Sequence, residues 1–125
     1  MRSKLIWGGA LAAVFVVGIA VGAWQQPSTT TRREPQFENT SVSVWKSIIM
    51  PNQPLALHRH DLGRTIVALK GGTLDIVDAQ GKTVKQMTWE TGKAYWLDAD
   101  PPNEQHGDMN RTKEPIEVMV VQMRK

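Results

Sequence analysis

Beyond Trp24 the chain never sustains an apolar period of 3.6 residues, and this property alone excludes a helical body. Its hydrophobic residues come instead in short runs, each stopped by turn-forming residues. Val42, Val44 and residues 48–50 give the first run, which ends at Pro51. Residues 55–60, 65–69, 74–77, 84–89 and 94–97 give further runs, punctuated by Gly71 and Gly72, by Asp78-Ala79-Gln80-Gly81, by Gly92 and by the corner Asp100-Pro101-Pro102-Asn103. The Asp78-Ala79-Gln80-Gly81 stretch reads as a hairpin turn. A short piece follows around Gln105 and His106, and residues 116–123 are almost continuously apolar, as in a strand buried on both faces. Seven or eight short strands spaced by roughly 8–12 residues predict an all-β sandwich or barrel over residues 40–125. A core of that size is small. Pairing of two chains through an edge strand would enlarge it, so a homodimer is expected.

Residues 5–24 carry no charged side chain. As a helix they would span roughly 30 Å, close to the hydrocarbon thickness of a bilayer. Arg2 and Lys4 precede them, so the positive-inside rule leaves the N-terminus in the cytoplasm and the remainder outside. Trp7 and Trp24 would sit about 25 Å apart, suited to the two interfaces. One reading is a single-pass anchor formed by one apolar helix over residues 1–24. The other is a cleaved signal peptide, since Val21-Gly22-Ala23 offers the small residues that signal peptidases accept. Both put the barrel outside the cytoplasm, membrane-anchored in the first case and secreted or periplasmic in the second. Residues 25–39 are polar, hold Pro27 and Pro35, and read as a flexible linker.

Net charge is +3, but Arg2 and Lys4 account for much of it: without them, 13 of the 15 basic residues remain against 12 acidic ones. No clustered basic face emerges, so nucleic acid is excluded as a partner. There is no cysteine, hence no disulfide, thiolate ligand or cysteine nucleophile. Any metal must be held by nitrogen and oxygen.

The chain has only three histidines, His58, His60 and His106. On a strand His58 and His60 would face the same side, about 7 Å apart, close enough to share an ion. His106 is the one candidate for a third nitrogen, and imidazole suits Fe, Mn, Ni, Cu and Zn. Trp45, Trp89, Tyr95 and Trp96 read as core and rim aromatics.

His58-Arg59-His60, three residues, Arg64, six residues and Gly71 resemble the first cupin motif, HxH, three or four residues, Glu, six residues, Gly. Gly92, five residues, the proline corner, His106, three residues and Asn110 resemble the second, whose usual form is G, five residues, PxG, two residues, H, three residues, N. The resemblance runs from about Val42 to Met123 and places every histidine on a template position. It implies an all-β, cupin-type barrel (a double-stranded β-helix or jelly roll) binding a divalent transition metal, Fe, Mn, Ni or Zn, through His58, His60 and His106. Two departures stand out. Asn103 replaces the glycine of the second motif, with extra residues between Leu97 and Pro101, and asparagine tolerates left-handed backbone angles. Arg64 replaces the glutamate ligand, and a guanidinium cannot ligate a metal. Cupin-like thiol dioxygenases use three histidines without that glutamate.

Arg64 has two open placements. Facing inward, it would bind the anionic group of a small-molecule ligand; facing outward, it would serve packing. Glu104 shares a face with His106 on an extended segment and could pair with Arg64 or lend an oxygen, or it could be a solvated loop residue. Asp61 and Asp108 adjoin ligand positions and read as surface groups or as supports of the ligands. Two functions follow. One is a metal-dependent, dioxygenase-like or isomerase-like enzyme outside the cytoplasm, with up to three open metal positions. The other is a non-catalytic module that binds or senses a small ligand, and no further acid, base or nucleophile set opposes it.

Overall fold

A computed structural model describes residues 29–125. The apolar segment, with its anchor and signal readings, lies outside the described residues. Nine strands follow one another: β1 (Arg32–Glu38), β2 (Val42–Ile49), β3 (Leu55–His58), β4 (Arg64–Lys70), β5 (Gly72–Val77), β6 (Thr83–Trp89), β7 (Ala94–Leu97), β8 (His106–Met109) and β9 (Ile116–Met123). They form a five-stranded sheet in the order β1-β2-β9-β4-β7 and a four-stranded sheet in the order β3-β8-β5-β6. Every strand pair is antiparallel. No helix occurs among the described residues, and none there is long and apolar enough to cross a membrane.

Alternation sets the inner faces. On β9, Ile116, Val118 and Val120 are buried while Met119 and Val121 are only half-buried, so this strand is buried fully on one face rather than on both. With Ile49, Ile66, Ala68, Leu74 and Trp89 they make the core. Gly71 is required by close approach: a Cβ there would stand 2.1 Å from the carbonyl oxygen of Trp89. The turn after β5 closes as its sequence predicts, with Asp78 Oδ1 accepting from the amides of Gln80 and Lys82 and Gly81 at φ 81°. Asn103 takes φ 64°, the left-handed conformation expected of the glycine it replaces.

The linker assigned to residues 25–39 needs correction, because Arg32–Glu38 is strand β1, paired with β2 from Arg32 opposite Ile48 to Glu38 opposite Ser43. An edge strand buries only one face, so a polar sequence can form it. Pro35 is tolerated at that edge, beside the irregularity between Pro35 and Phe37. Thr31 anchors the entry, donating from Oγ1 to Gln53 O at 2.6 Å and accepting from the Met50 amide at 2.9 Å.

Candidate metal centre

His58 closes β3 and His106 opens β8, and the two stand directly opposite each other in register. The expected strand over residues 55–60 ends at His58, so pleating does not place His60. A clasp between two loops does. The His60 amide donates to Asp100 Oδ2 at 2.7 Å, and the Asp100 amide donates to His60 O at 2.8 Å. The three rings then gather, with centroids 4.5 Å apart for His58 and His106, 4.9 Å for His58 and His60, and 5.8 Å for His60 and His106. A ligating nitrogen from each lies within 4.8 Å of the others, close enough to hold one metal ion.

Hydrogen bonds fix which nitrogen two of the rings offer. His58 Nδ1 donates to Ala56 O at 2.7 Å, which leaves the lone pair on Nε2. Gln122 Nε2 donates to Leu62 O and Gly63 O, so its Oε1 faces His60 as an acceptor. His60 Nδ1 donates to it at 2.7 Å, and again Nε2 is free. His106 turns Nδ1 toward Asp100 Oδ2 at 3.5 Å and Nε2 toward Asp108. Partners of this kind orient metal-binding imidazoles and raise their basicity. Trp45 stacks on His60 at 6.5 Å, nearly parallel, and Arg33 lies 4.8 Å above Trp45.

Arg64, the first residue of β4, faces inward with only 8% of its side chain exposed. Its Nη1 donates to Asp98 O at 3.1 Å and lies 3.8 Å from Asp100 Oδ1. The carboxylate answering Arg64 is therefore Asp100 and not Glu104, which is exposed. Asp61 is a surface group paired with Arg59. Asp108 is nearly buried among the histidines. Asp100 and Arg33 thus escaped the sequence reading, while Asp108, read there as a surface group or a support of the ligands, stands beside His58 and His106. Of the three, only Asp108 left a trace in the sequence, its spacing of two from His106 on an extended segment. The cavity in front of the histidines holds about 380 Å³, and Arg33, Arg64, Lys85, Asp98, Asp100 and Asp108 reach it.

Burial, reinforced by the Arg64 guanidinium, pushes His60 down to about 4 from the ordinary 6.5. Burial also lowers His106. Between about pH 6.5 and 4 the unfolded chain binds a proton at His60 that the folded, metal-free chain refuses, so stability falls as pH drops through that window. The thermal midpoint of metal-free protein is expected to be on the order of 10 °C lower near pH 4.5 than near pH 7. His60→Gln should reduce that difference, and an equal difference in both proteins would assign the effect to other groups.

Solved structures resemble this arrangement. A cupin domain from Bordetella pertussis aligns with TM-score 0.65 and 16% identity, covering 80% of this chain and 99% of that one. This is a cupin fold. A double-stranded β-helix protein from Klebsiella pneumoniae aligns on this cupin barrel with TM-score 0.54 and 23% identity, covering 81% and 84% of the two chains. A cupin-family protein from Methanocaldococcus jannaschii gives TM-score 0.58 and 12% identity, covering 80% and 85%. No family model matches the sequence, and neither does any curated protein. The cupin barrel with three converging histidines therefore stands on geometry.

Proposed function

We propose that this chain is a cupin-type metal protein outside the cytoplasm that binds, or acts on, a small anionic molecule at His58, His60 and His106. The observation that carries the reading is the convergence of three imidazoles, each with a ligating nitrogen within 4.8 Å of the others, two of them with Nδ1 already engaged by protein acceptors. A divalent Fe, Mn, Ni or Zn ion held there would supply a Lewis acid with open positions for a chelating anion. Arg33 and Lys85 reach the same cavity and form no ion pair among the described residues, and Arg64 commits only Nη1 to protein partners. These cations favour a carboxylate-bearing ligand. Dioxygenase-like and isomerase-like chemistry both suit such a site. The location outside the cytoplasm rests on residues 5–24 and the two basic residues before them. The free edge of β1 is the proposed homodimer contact.

The test is metal analysis of untagged protein by mass spectrometry, then titration of the metal-loaded protein with oxalate, followed by tryptophan fluorescence. One metal per chain is expected, and Arg33→Gln or Arg64→Gln should each weaken oxalate binding about tenfold while retaining the metal. Protein that takes up none of Fe, Mn, Ni or Zn refutes the metal site. Oxalate binding in such metal-free protein would support the other reading, a ligand-sensing barrel, which the guanidinium of Arg64 in the cavity wall favours.

A further inference from the structure

Asp108 has an unusual position for a carboxylate. Its side chain is only 13% exposed and accepts no hydrogen bond among the described residues. His58 Nε2 lies 3.7 Å from its Oδ2, and His106 Nε2 lies 3.8 Å from its Oδ1. The His58 proton sits on Nδ1, so Nε2 shows Asp108 a lone pair. A carboxylate and an imidazole lone pair thus face each other across a poorly solvated gap. Such an arrangement is costly without positive charge between them. Arg33 and Arg64 act on Asp108 only through space, for neither comes within 4.0 Å of it. Arg64 is already answered by Asp100.

We propose that Asp108 is the oxygen ligand of the metal bound by His58, His60 and His106. The proposal rests on the three-histidine reading and supplies the acid that reading lacks. Strand geometry prepares it: Asp108 follows His106 by two residues on β8 and so shares its face, while His58 is the cross-strand partner of His106. The spacing also fits. Two ligands about 2.1 Å from one ion stand about 3.0 Å apart at right angles and about 4.2 Å apart when opposed. Asp108 Oδ2 to His58 Nε2, at 3.7 Å, and Oδ1 to His106 Nε2, at 3.8 Å, each lie between those limits, so the carboxylate faces this pair of histidines. Charge agrees as well, since three neutral imidazoles leave a divalent ion with its full +2 and one carboxylate halves it. The cupin motif places its acid at the position of Arg64, on β4; here the acid comes from β8, leaving that position free for a guanidinium paired with Asp100. Three nitrogens and one carboxylate oxygen suit Fe, Mn or Ni.

The experiment is titration of the full chain with Co(II), reading affinity and the intensity of its visible d–d bands, beside thermal unfolding of each metal-free variant. Asp108→Asn keeps the shape and removes the charge. It should weaken Co(II) binding about 10- to 100-fold and change the band pattern, because an anionic inner-sphere oxygen is lost or exchanged for a neutral amide oxygen. Asp108→Glu should recover part of the affinity. Asp61→Asn removes an equal charge at the surface, where Asp61 pairs with Arg59, and should leave the bands in place. Asp108→Asn with wild-type bands would overturn the proposal, whatever its affinity, while leaving the histidine site standing. Wild-type protein that binds no Co(II) would overturn both readings.

Discussion

Replacing His60 by alanine is expected to weaken metal binding by more than about 100-fold, a larger loss than removing a group that merely supports a ligand. Of the three histidines, His60 is the one whose place depends least on a strand. It lies beyond the end of β3 and is fixed by the clasp to Asp100 and by the Gln122 side chain. The clasp uses the His60 backbone, so the alanine variant keeps it and the loop retains its path. What goes is the imidazole, its stacking on Trp45 and its hydrogen bond to Gln122 Oε1, a partly buried group at the cavity's edge. The variant should therefore unfold close to the wild-type temperature without metal and lose the added stability that metal gives the wild type. Isothermal titration with Mn(II) or Zn(II), paired with thermal unfolding, checks both halves. An affinity within tenfold of wild type would mean that His60 does not ligate.

The parts of this protein legible in its sequence are those that short-range patterns control. The turn at Asp78 to Gly81 and the left-handed Asn103 are local decisions, and expectation and structure coincide there, whereas the apolar run over residues 116–123 suggested burial on both faces and the strand buries one. Strand β1 was not legible, because Arg32–Glu38 pairs with β2 through backbone groups while its side chains stay mostly exposed. Composition reports burial, and an edge strand has little. The same limit governs the site. His58 and His106 are brought together by strand register, yet the pleat expected to bring His60 beside His58 ends at His58 itself. Asp100 was invisible for a related reason. It sits in the lengthened corner before Pro101, and only the folded loop shows its carboxylate reaching the His60 amide, Arg64 and His106 together. Two departures from the cupin pattern that look unrelated in sequence, an arginine for a glutamate and a longer corner, form one contact in space.

Replacing Asn110 by alanine should destabilise the barrel by about 3–5 kcal/mol, the largest stability loss expected of any single polar residue here. The second cupin motif ends on this residue, and its side chain is wholly buried away from the histidines. Its Nδ2 donates to Ile49 O at 2.9 Å and to Glu114 O at 2.7 Å. Its Oδ1 accepts from the Thr112 amide at 2.9 Å and from Thr112 Oγ1 at 2.6 Å. Its backbone carbonyl also accepts from the Asn52 amide at 2.7 Å, and the residue bridges to Pro51. One side chain thereby ties the end of β2, in the first sheet, to the end of β8, in the second, and shapes the turn into β9. Alanine leaves the Ile49 carbonyl and the Thr112 amide short of a partner in a site water reaches poorly, at about 1–3 kcal/mol for each group left unsatisfied, while the Glu114 carbonyl keeps only Thr112 Oγ1. A domain of this size is stable by about 5–15 kcal/mol in all. The variant should melt on the order of 20 °C lower, and Asn110→Asp, which keeps the acceptor and loses both donors, should melt nearly as low. Circular dichroism during heating measures the shift. A loss of only a few degrees would mean that the two sheets are held together at this end by packing rather than by Asn110.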